Sequence, residues 1–146
     1  MTPDDPVCAL THDALMNEWT LAWGEDHRPR VVKDSDELDR LLHDALIDAG
    51  SSFTMAELVS PLGVACAIGL GRERSVVTFN ASYADPPYFV SRGDLAAEGE
   101  PLVFFYNGHW TGFGPETSVP NDQALLALKE FYETSERPTA VAFDEV

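Results

Sequence analysis

The chain has 146 residues, 45% of them hydrophobic and 10% aromatic, which is enough apolar material to bury one core and argues against intrinsic disorder. Its 25 acidic and nine basic residues give a formal net charge of −16. This charge disfavours direct binding to nucleic acid or to an anionic membrane, because both need Lys and Arg to neutralise phosphate. No apolar run has membrane-spanning length, and the N-terminus does not resemble a secretory signal. We therefore predict a cytoplasmic protein with a single domain over residues 1–146, of which 1–16 form a poorly structured segment.

The first predicted elements are a strand hairpin and an amphipathic helix. Residues 19–23 place Trp19, Leu21 and Trp23 on one face of a strand, where we expect them to be core residues. A Gly-Glu-Asp-His turn leads to a second strand at 30–32. Asp34 or Ser35 suits the N-cap of a helix that ends before Gly50. The predicted buried stripe of this helix consists of Leu38, Leu41, Leu42, Ala45, Leu46 and Ala49.

Strands dominate the middle of the chain. Apolar and β-branched runs, bounded by clusters of Pro, Gly, Asp and Asn, predict five strands at residues 53–59, 64–70, 75–80, 88–91 and 102–107. The links between them leave no room for helical crossovers, so we expect the strands to pair antiparallel in a meander. Cys66 falls inside the second run and is expected to be a small, reduced core residue.

The last predicted elements are a second helix and a final strand. After a loop over residues 108–119, Pro120 and Asn121 begin a helix that ends before Pro138, and residues 139–143 form the last strand. The buried stripe predicted for this helix is Ala124, Leu125, Leu128, Phe131 and Tyr132. The predicted fold class is α+β, a single, largely antiparallel β-sheet backed by two α-helices in the order β-β-α-β-β-β-β-β-α-β.

Motifs for catalysis or metal binding are missing from the sequence. A zinc-dependent deaminase needs His-x-Glu and Pro-Cys-x-x-Cys arrangements, and neither occurs. The four histidines and two cysteines have no ligand spacing, and no serine lies in a Gly-x-Ser-x-Gly elbow. The Gly-Leu-Gly at residues 69–71 lies between two strands rather than before a helix. We therefore predict a protein without enzymatic activity, metal or other cofactor.

The C-terminal third carries the most distinctive pattern. A strand ends in Gly-His at residues 108–109, a Thr-x-Phe turn follows at 111–113, a helix begins at Pro120, and an Arg-Pro-Thr at 137–139 leads into the last strand. In these features the chain resembles the Imm1 family of immunity proteins. The resemblance covers residues 102–143. It implies an immunity protein of a bacterial polymorphic toxin system, whose partner is a nucleic-acid deaminase toxin with a basic substrate groove.

An acidic stretch of the chain is the candidate contact region for such a toxin. Residues 93–128 contain no Lys or Arg, so we expect one side of the fold to be strongly negative and to be attracted to a basic groove. Trp110 and Phe113 lie in this stretch, and an aromatic side chain surrounded by acids has the composition of a binding hot spot. The predicted toxin-binding residues are His109, Trp110, Phe113, Glu116, Asp94, Glu98 and Glu100.

Other interpretations are open at this stage. High net charge is also typical of a protein that is merely kept soluble, and a loop aromatic such as Trp110 or Phe113 can instead fold back on the sheet edge. In a second interpretation the chain is a small enzyme whose site combines distant carboxylates with His109. In a third it is an acidic adaptor or subunit with another basic protein partner.

Overall fold

A computed structural model describes residues 18–50, 52–82 and 85–146, so the predicted segment 1–16 lies outside the described residues. It confirms the α+β fold, with two α-helices on a mostly antiparallel sheet. The helices are α1 (Ser35–Ala49) and α2 (Asn121–Thr134), and a short 3-10 helix covers Pro115–Thr117. The strands are β1 (Trp19–Ala22), β2 (Arg30–Val32), β3 (Thr54–Val59), β4 (Ala65–Leu70), β5 (Arg74–Ser75), β6 (Val77–Ser82), β7 (Asp85–Arg92), β8 (Leu102–Tyr106), β9 (His109–Phe113), β10 (Val119–Pro120) and β11 (Ala142–Glu145).

Antiparallel pairing builds the main sheet in the order β11-β7-β6-β4-β3-β1-β2. One strand departs from the predicted meander, because β8 pairs parallel to β3, with Phe105 opposite Thr54, and then turns back antiparallel into β9. The pairing of β1 with β3 ends at Ala22, opposite Glu57. The β8–β9 hairpin therefore occupies the part of the β3 edge that β1 leaves open.

Both helices pack on one face of the sheet and form the larger core. Asp34 caps α1 by accepting a hydrogen bond from Glu37 N at 2.8 Å, and Gly50 ends that helix with a φ of +39°, as predicted. Burial, reinforced by the Glu57 carboxylate, raises the pKa of the Cys66 thiol, which makes this cysteine an unreactive core residue. Other buried residues of this core include Leu21, Trp23, Leu38, Leu42, Leu58, Ile68, Phe79, Leu128 and Phe131.

The β8–β9 hairpin covers part of the opposite face of the sheet and forms a smaller core. Phe104 is fully buried, and its ring lies against the backbone of Gly69 in β4. A Cβ placed on Gly69 would lie 2.5 Å from that ring, so glycine at this position is what allows the hairpin to reach the sheet. The other buried members of this core are Met55, Ala67, Val76 and Val90.

The predicted loop over residues 108–119 is wrong, because it contains β9, the 3-10 helix and β10. Asn107 and Gly108 both have positive φ, +50° and +83°, as a two-residue hairpin turn requires. They fold β9 directly back onto β8. β10 pairs with β5 in a separate two-stranded sheet. The single strand predicted at 75–80 is therefore divided, with Ser75 in β5 and residues 77–80 in β6, which begins at Val77.

Two smaller predictions, one on the buried stripe of α1 and one on the bounds of the last strand, are wrong. Leu46 of α1 was predicted in the buried stripe but is 43% exposed, because the stripe on the sheet side is filled by its neighbours. The last strand is Ala142–Glu145 rather than residues 139–143. The reason is that the Glu130 carboxylate accepts hydrogen bonds from Thr139 N at 2.8 Å and Ala140 N at 3.0 Å, which leaves these two residues outside the strand ladder.

Candidate functional site

The tip of the β8–β9 hairpin presents an aromatic pair. Phe105 and Trp110 lie opposite each other across the hairpin, and their rings meet edge to face with centroids 5.3 Å apart. A backbone hydrogen bond of 2.7 Å from Phe105 N to Phe53 O anchors the pair to the start of β3. Trp110 nevertheless remains 62% exposed. Its ring is thus oriented by a neighbour and still accessible to a partner.

A pocket of about 390 Å³ opens between this aromatic pair and the end of α1. Its walls include Trp23, Gly24 and Glu25 at the end of β1 and in the turn that follows, Asp48 in the last turn of α1, and Thr54 in β3. Trp23 Nε1 donates a hydrogen bond to Asp48 Oδ2 at 3.0 Å, and Gly24 N donates to Thr54 Oγ1 at 3.0 Å. These internal hydrogen bonds hold the walls in place. We call Glu25, Asp48, Phe105 and Trp110 the pocket end.

A buried carboxylate ties the hairpin to the sheet. Glu57 of β3 is 3% exposed and accepts a hydrogen bond from Tyr106 Oη at 2.7 Å through Oε2. His27 Nε2 lies 3.4 Å from the other carboxylate oxygen. Both oxygens therefore have a polar partner, as a buried carboxylate requires. This arrangement holds the hairpin and the β1–β2 turn against β3, close to the pocket.

The predicted toxin-binding residues divide between the two ends of the hairpin. His109 and Trp110 lie at its tip, and both are exposed. Phe113 ends β9 and packs inward, with its ring centroid 6.4 Å from that of Phe104. Three strand steps, or about 10 Å, separate Trp110 from Phe113. His109 forms no ion pair with any described residue, so the structure does not bring it together with the carboxylates that the enzyme interpretation requires.

The remaining predicted residues gather at the other end of the hairpin. Asp94, Glu98 and Glu100 lie in the connection between β7 and β8, and all three are exposed. This connection begins against the 3-10 helix, since Gly93 N donates a hydrogen bond to Glu116 O at 2.8 Å and a Cβ on Gly93 would collide with the Ser118 carbonyl group. The connection ends at Leu102, which is opposite Phe113 in the hairpin. We call the four acids in this region, Asp94, Glu98, Glu100 and Glu116, the acidic base.

Apart from that of Glu57, the ion pairs of the described chain involve none of the acids at the two ends of the hairpin, although Arg92 precedes Asp94 by only two residues. They are Arg40 with Glu37 and Asp44, Lys129 with Asp39, and Arg92 with Asp144. Two further arginines are used internally, since Arg72 Nε donates to Val103 O at 2.9 Å and Arg74 Nε donates to Ser118 Oγ at 2.8 Å. No acid of the pocket end or the acidic base forms an ion pair with a described residue.

The groups that this surface offers to a partner are carboxylates and aromatic rings. Within residues 18–50, 52–82 and 85–146, no three His, Cys, Asp or Glu side chains are grouped so that they could hold a metal ion. None of the helices in the same described ranges is long and apolar enough to cross a membrane.

Sequence reasoning missed the half of the pocket that lies outside the hairpin. Trp23 was predicted to be a core residue and is 3% exposed, yet its indole N–H also positions Asp48. Asp48 follows Asp44 by one helical turn, and such a pattern is typical of a solvated helix face. The sequence did contain an electrostatic signal for Asp48. An acid in the last turn of a helix is unfavourable next to the negative end of the helix dipole, which suggests a compensating contact at that position.

Comparisons with known proteins were made against protein families and against curated proteins. The family model described as Immunity protein Imm1 matches residues 26–145, a range that contains both helices, the β8–β9 hairpin and the acidic base. No curated protein matches the chain. The family match extends well beyond residues 102–143, where the resemblance was seen in the sequence, and it implies a toxin as the partner. The chain belongs to the Imm1 family of immunity proteins.

Proposed function

We propose that the chain protects its producer by binding a nucleic-acid deaminase toxin and covering the toxin's basic substrate groove with its acidic surface. Membership of an immunity family supports the toxin partner. The observation that carries the groove-covering mechanism is the charge of the hairpin region. Residues 93–128 hold five acids and no Lys or Arg, and the acidic base forms no ion pair with the described residues.

The physical basis of the proposal is competition for phosphate-binding cations. A deaminase that acts on nucleic acid needs Lys and Arg to hold the phosphate backbone of its substrate. An acidic protein binds the same cations, and the long-range attraction raises its association rate. Inhibition is steric in this scheme, so the chain acts as a stoichiometric binder without catalysis, metal or cofactor. We place it in the bacterial cytoplasm as a single domain.

The contact face that we propose follows the β8–β9 hairpin from tip to base. Trp110 is the aromatic anchor, since it is 62% exposed while Phe105 orients its ring. An exposed, oriented tryptophan is the residue type most often found at binding hot spots. His109 adds a polar group beside it, and Phe113 supports the acidic base from the interior. The acids of the base face the toxin's cations.

Co-expression with the toxin domain encoded by the adjacent gene tests this function. The chain should restore growth, co-purify with the toxin at equal stoichiometry and suppress deamination of a single-stranded DNA or RNA oligonucleotide. Reversing the charge of the base, with Asp94→Lys, Glu98→Lys and Glu100→Lys together, should abolish protection while the variant still melts cooperatively. If the complex forms but still binds the oligonucleotide as tightly as the free toxin does, groove covering is wrong.

A further inference from the structure

The pocket beside Trp110 combines aromatic walls with carboxylates, and none of the described residues that line it is basic. Trp23, Phe105 and Trp110 supply the rings, and Glu25 and Asp48 supply the negative charge. We propose that this pocket receives an arginine side chain of the toxin, an inference that rests on the proposed function and names the chemistry of the contact. The guanidinium group would stack on the accessible rings of Phe105 and Trp110, beside the buried Trp23, and donate hydrogen bonds to the two carboxylates.

Asp48 is held as an acceptor for such a cation. Its Oδ2 accepts the hydrogen bond from Trp23 Nε1 at 3.0 Å, which fixes the side chain at the pocket wall. The residue lies in the last turn of α1, and that turn contains no basic residue. The partial negative charge of the helix C-terminus therefore adds to that of the carboxylate. A cation bound beside Asp48 would be attracted by both the carboxylate and the C-terminal end of the helix.

A second pocket on the same chain shows an arginine stacked on an aromatic ring. It has a volume of about 400 Å³ and is lined by Phe53, Arg72 and Glu73 among others. The guanidinium carbon of Arg72 lies 4.0 Å from the centroid of the Phe53 ring. The pocket beside Trp110 has the aromatic and acidic components without the arginine. Arg30 stacks on the Trp23 ring at 3.8 Å but does not line the pocket, so it leaves the cavity open.

Arginine fits these walls better than lysine does. Its planar guanidinium group stacks on aromatic faces and donates several hydrogen bonds in a fixed geometry, whereas the lysine ammonium is a compact, strongly hydrated charge. Two carboxylates on the walls suit a group with donors on more than one side. The volume of about 390 Å³ is large enough to admit one long side chain.

NMR of the isolated protein tests the pocket without the toxin. Titration of the 15N-labelled protein with N-acetyl-arginine methylamide should shift the indole N–H signals of Trp23 and Trp110 in a saturable manner. Trp19 provides an internal control, since it packs on Phe131 and Tyr132 in the larger core, and its signal should stay in place. The matching citrulline compound, which is neutral, should cause no saturable shift. Equal shifts with citrulline, or none with arginine, would overturn the proposal.

Matched charge variants test the same contact in the toxin complex. Asp48→Asn keeps an acceptor for Trp23 and removes one charge, and Glu25→Gln removes the second without touching that hydrogen bond. Each should weaken toxin binding about tenfold, whereas Glu98→Gln, which also removes one charge, should have a smaller effect. If the wild type binds the toxin and the three variants bind it with equal affinity, the proposed arginine pocket is wrong although the immunity function holds. If the wild type does not bind the toxin, the proposed function itself fails.

Discussion

The two ends of the β8–β9 hairpin carry the same sign of charge in different surroundings. At the pocket end, the carboxylates lie beside aromatic rings and one of them is fixed by an indole N–H. At the acidic base, the carboxylates of the β7–β8 connection are exposed, as Glu25 and Asp48 are, but they do not line the pocket beside Trp110. Charges that a partner removes from water beside apolar walls contribute to the lifetime of a complex, whereas charges that stay in water mainly accelerate encounter. Under the proposed function, the hairpin and its surroundings thus offer a toxin a place to dock and a field that attracts it.

A rigid connection joins the tip and the base of the β8–β9 hairpin. That connection is the smaller core, in which Phe104 packs on Gly69 from the middle of β8. The Glu57 carboxylate adds a second attachment near the tip through Tyr106. Because both attachments involve β8, the tip and the base move together when the hairpin is displaced. A change at Phe104 should therefore disturb both ends at once, whereas changes at the surface of one end should leave the other intact.

The largest effect is expected from Phe104→Ala. Removing this fully buried ring leaves a cavity between the hairpin and the sheet, which should cost about 3–5 kcal/mol of unfolding free energy. Val103→Ala is the matched control, because its side chain lies on the other side of the same strand and is only partly buried. Chemical denaturation of both variants measures the difference. Similar losses for the two variants would show that Phe104 does not join the hairpin to the sheet.

Trp110→Ala separates docking from folding. Because the side chain is 62% exposed, its removal should change the free energy of unfolding by no more than about 1 kcal/mol, the size of its contact with Phe105. It should cost about 2 kcal/mol or more of toxin binding. Leu126→Ala is the control, since Leu126 is 59% exposed on α2 and lies outside the proposed contact face. A variant that melts much earlier but still binds normally would refute the anchor role.

The sequence predicted the elements whose signals are local. Asp34 and Gly50 bound α1 as the capping preferences indicate, and the alternation of Trp19, Leu21 and Trp23 correctly placed them on the core side. The β8–β9 turn also had a local signal in Asn107-Gly108, which is typical of a two-residue hairpin but was read as the end of a strand. Because this turn was not predicted, His109–Phe113 was assigned to a loop rather than to a strand.

The pocket could not be predicted from the sequence in the same way. It brings together Trp23, Asp48 and Trp110, which lie far apart in the chain and meet only because β8 pairs parallel to β3. A parallel pairing after a long connection has no short-range signature. The acidic base was accessible to sequence reasoning, because most of its members are neighbours along the chain.

The charge of the acidic base should act on association rather than on the lifetime of the complex. Changing Asp94→Asn, Glu98→Gln and Glu100→Gln together should slow toxin association several-fold at low salt and leave dissociation almost unchanged. Raising the ionic strength should remove most of the difference from wild type, because exposed charges are screened over about 8 Å at physiological salt. Association kinetics at two salt concentrations provide the measurement. An association rate of the wild type that is independent of salt would assign the charge to solubility alone.

The smallest effect is expected from Glu130→Gln, which lies outside both ends of the hairpin. Burial tends to raise the pKa of the Glu130 carboxyl, but hydrogen bonds from Thr139 N, Thr139 Oγ1 and Ala140 N outweigh it and lower the pKa. A carboxyl whose pKa is lowered by folding stabilises the protein above its unfolded pKa and loses that contribution as the pH falls through the folded value.

The Tm of the wild type should therefore exceed that of Glu130→Gln slightly at neutral pH, and the gap should close under acidic conditions. Glu133→Gln on the same helix, where the side chain is exposed, should show no such gap. Toxin binding should be unaffected by either change. A gap that persists unchanged into acid would show that the hydrogen bonds, rather than the charge of Glu130, account for its contribution.

The division of labour between the two ends is tested most directly by toxin-binding kinetics of two double variants that each remove two negative charges. Glu25→Gln with Asp48→Asn alters the pocket end, and Glu98→Gln with Glu100→Gln alters the acidic base. We expect the first pair mainly to speed dissociation and the second mainly to slow association. Identical changes in both rates for the two pairs, or faster dissociation for the acidic base pair alone, would contradict this division of labour.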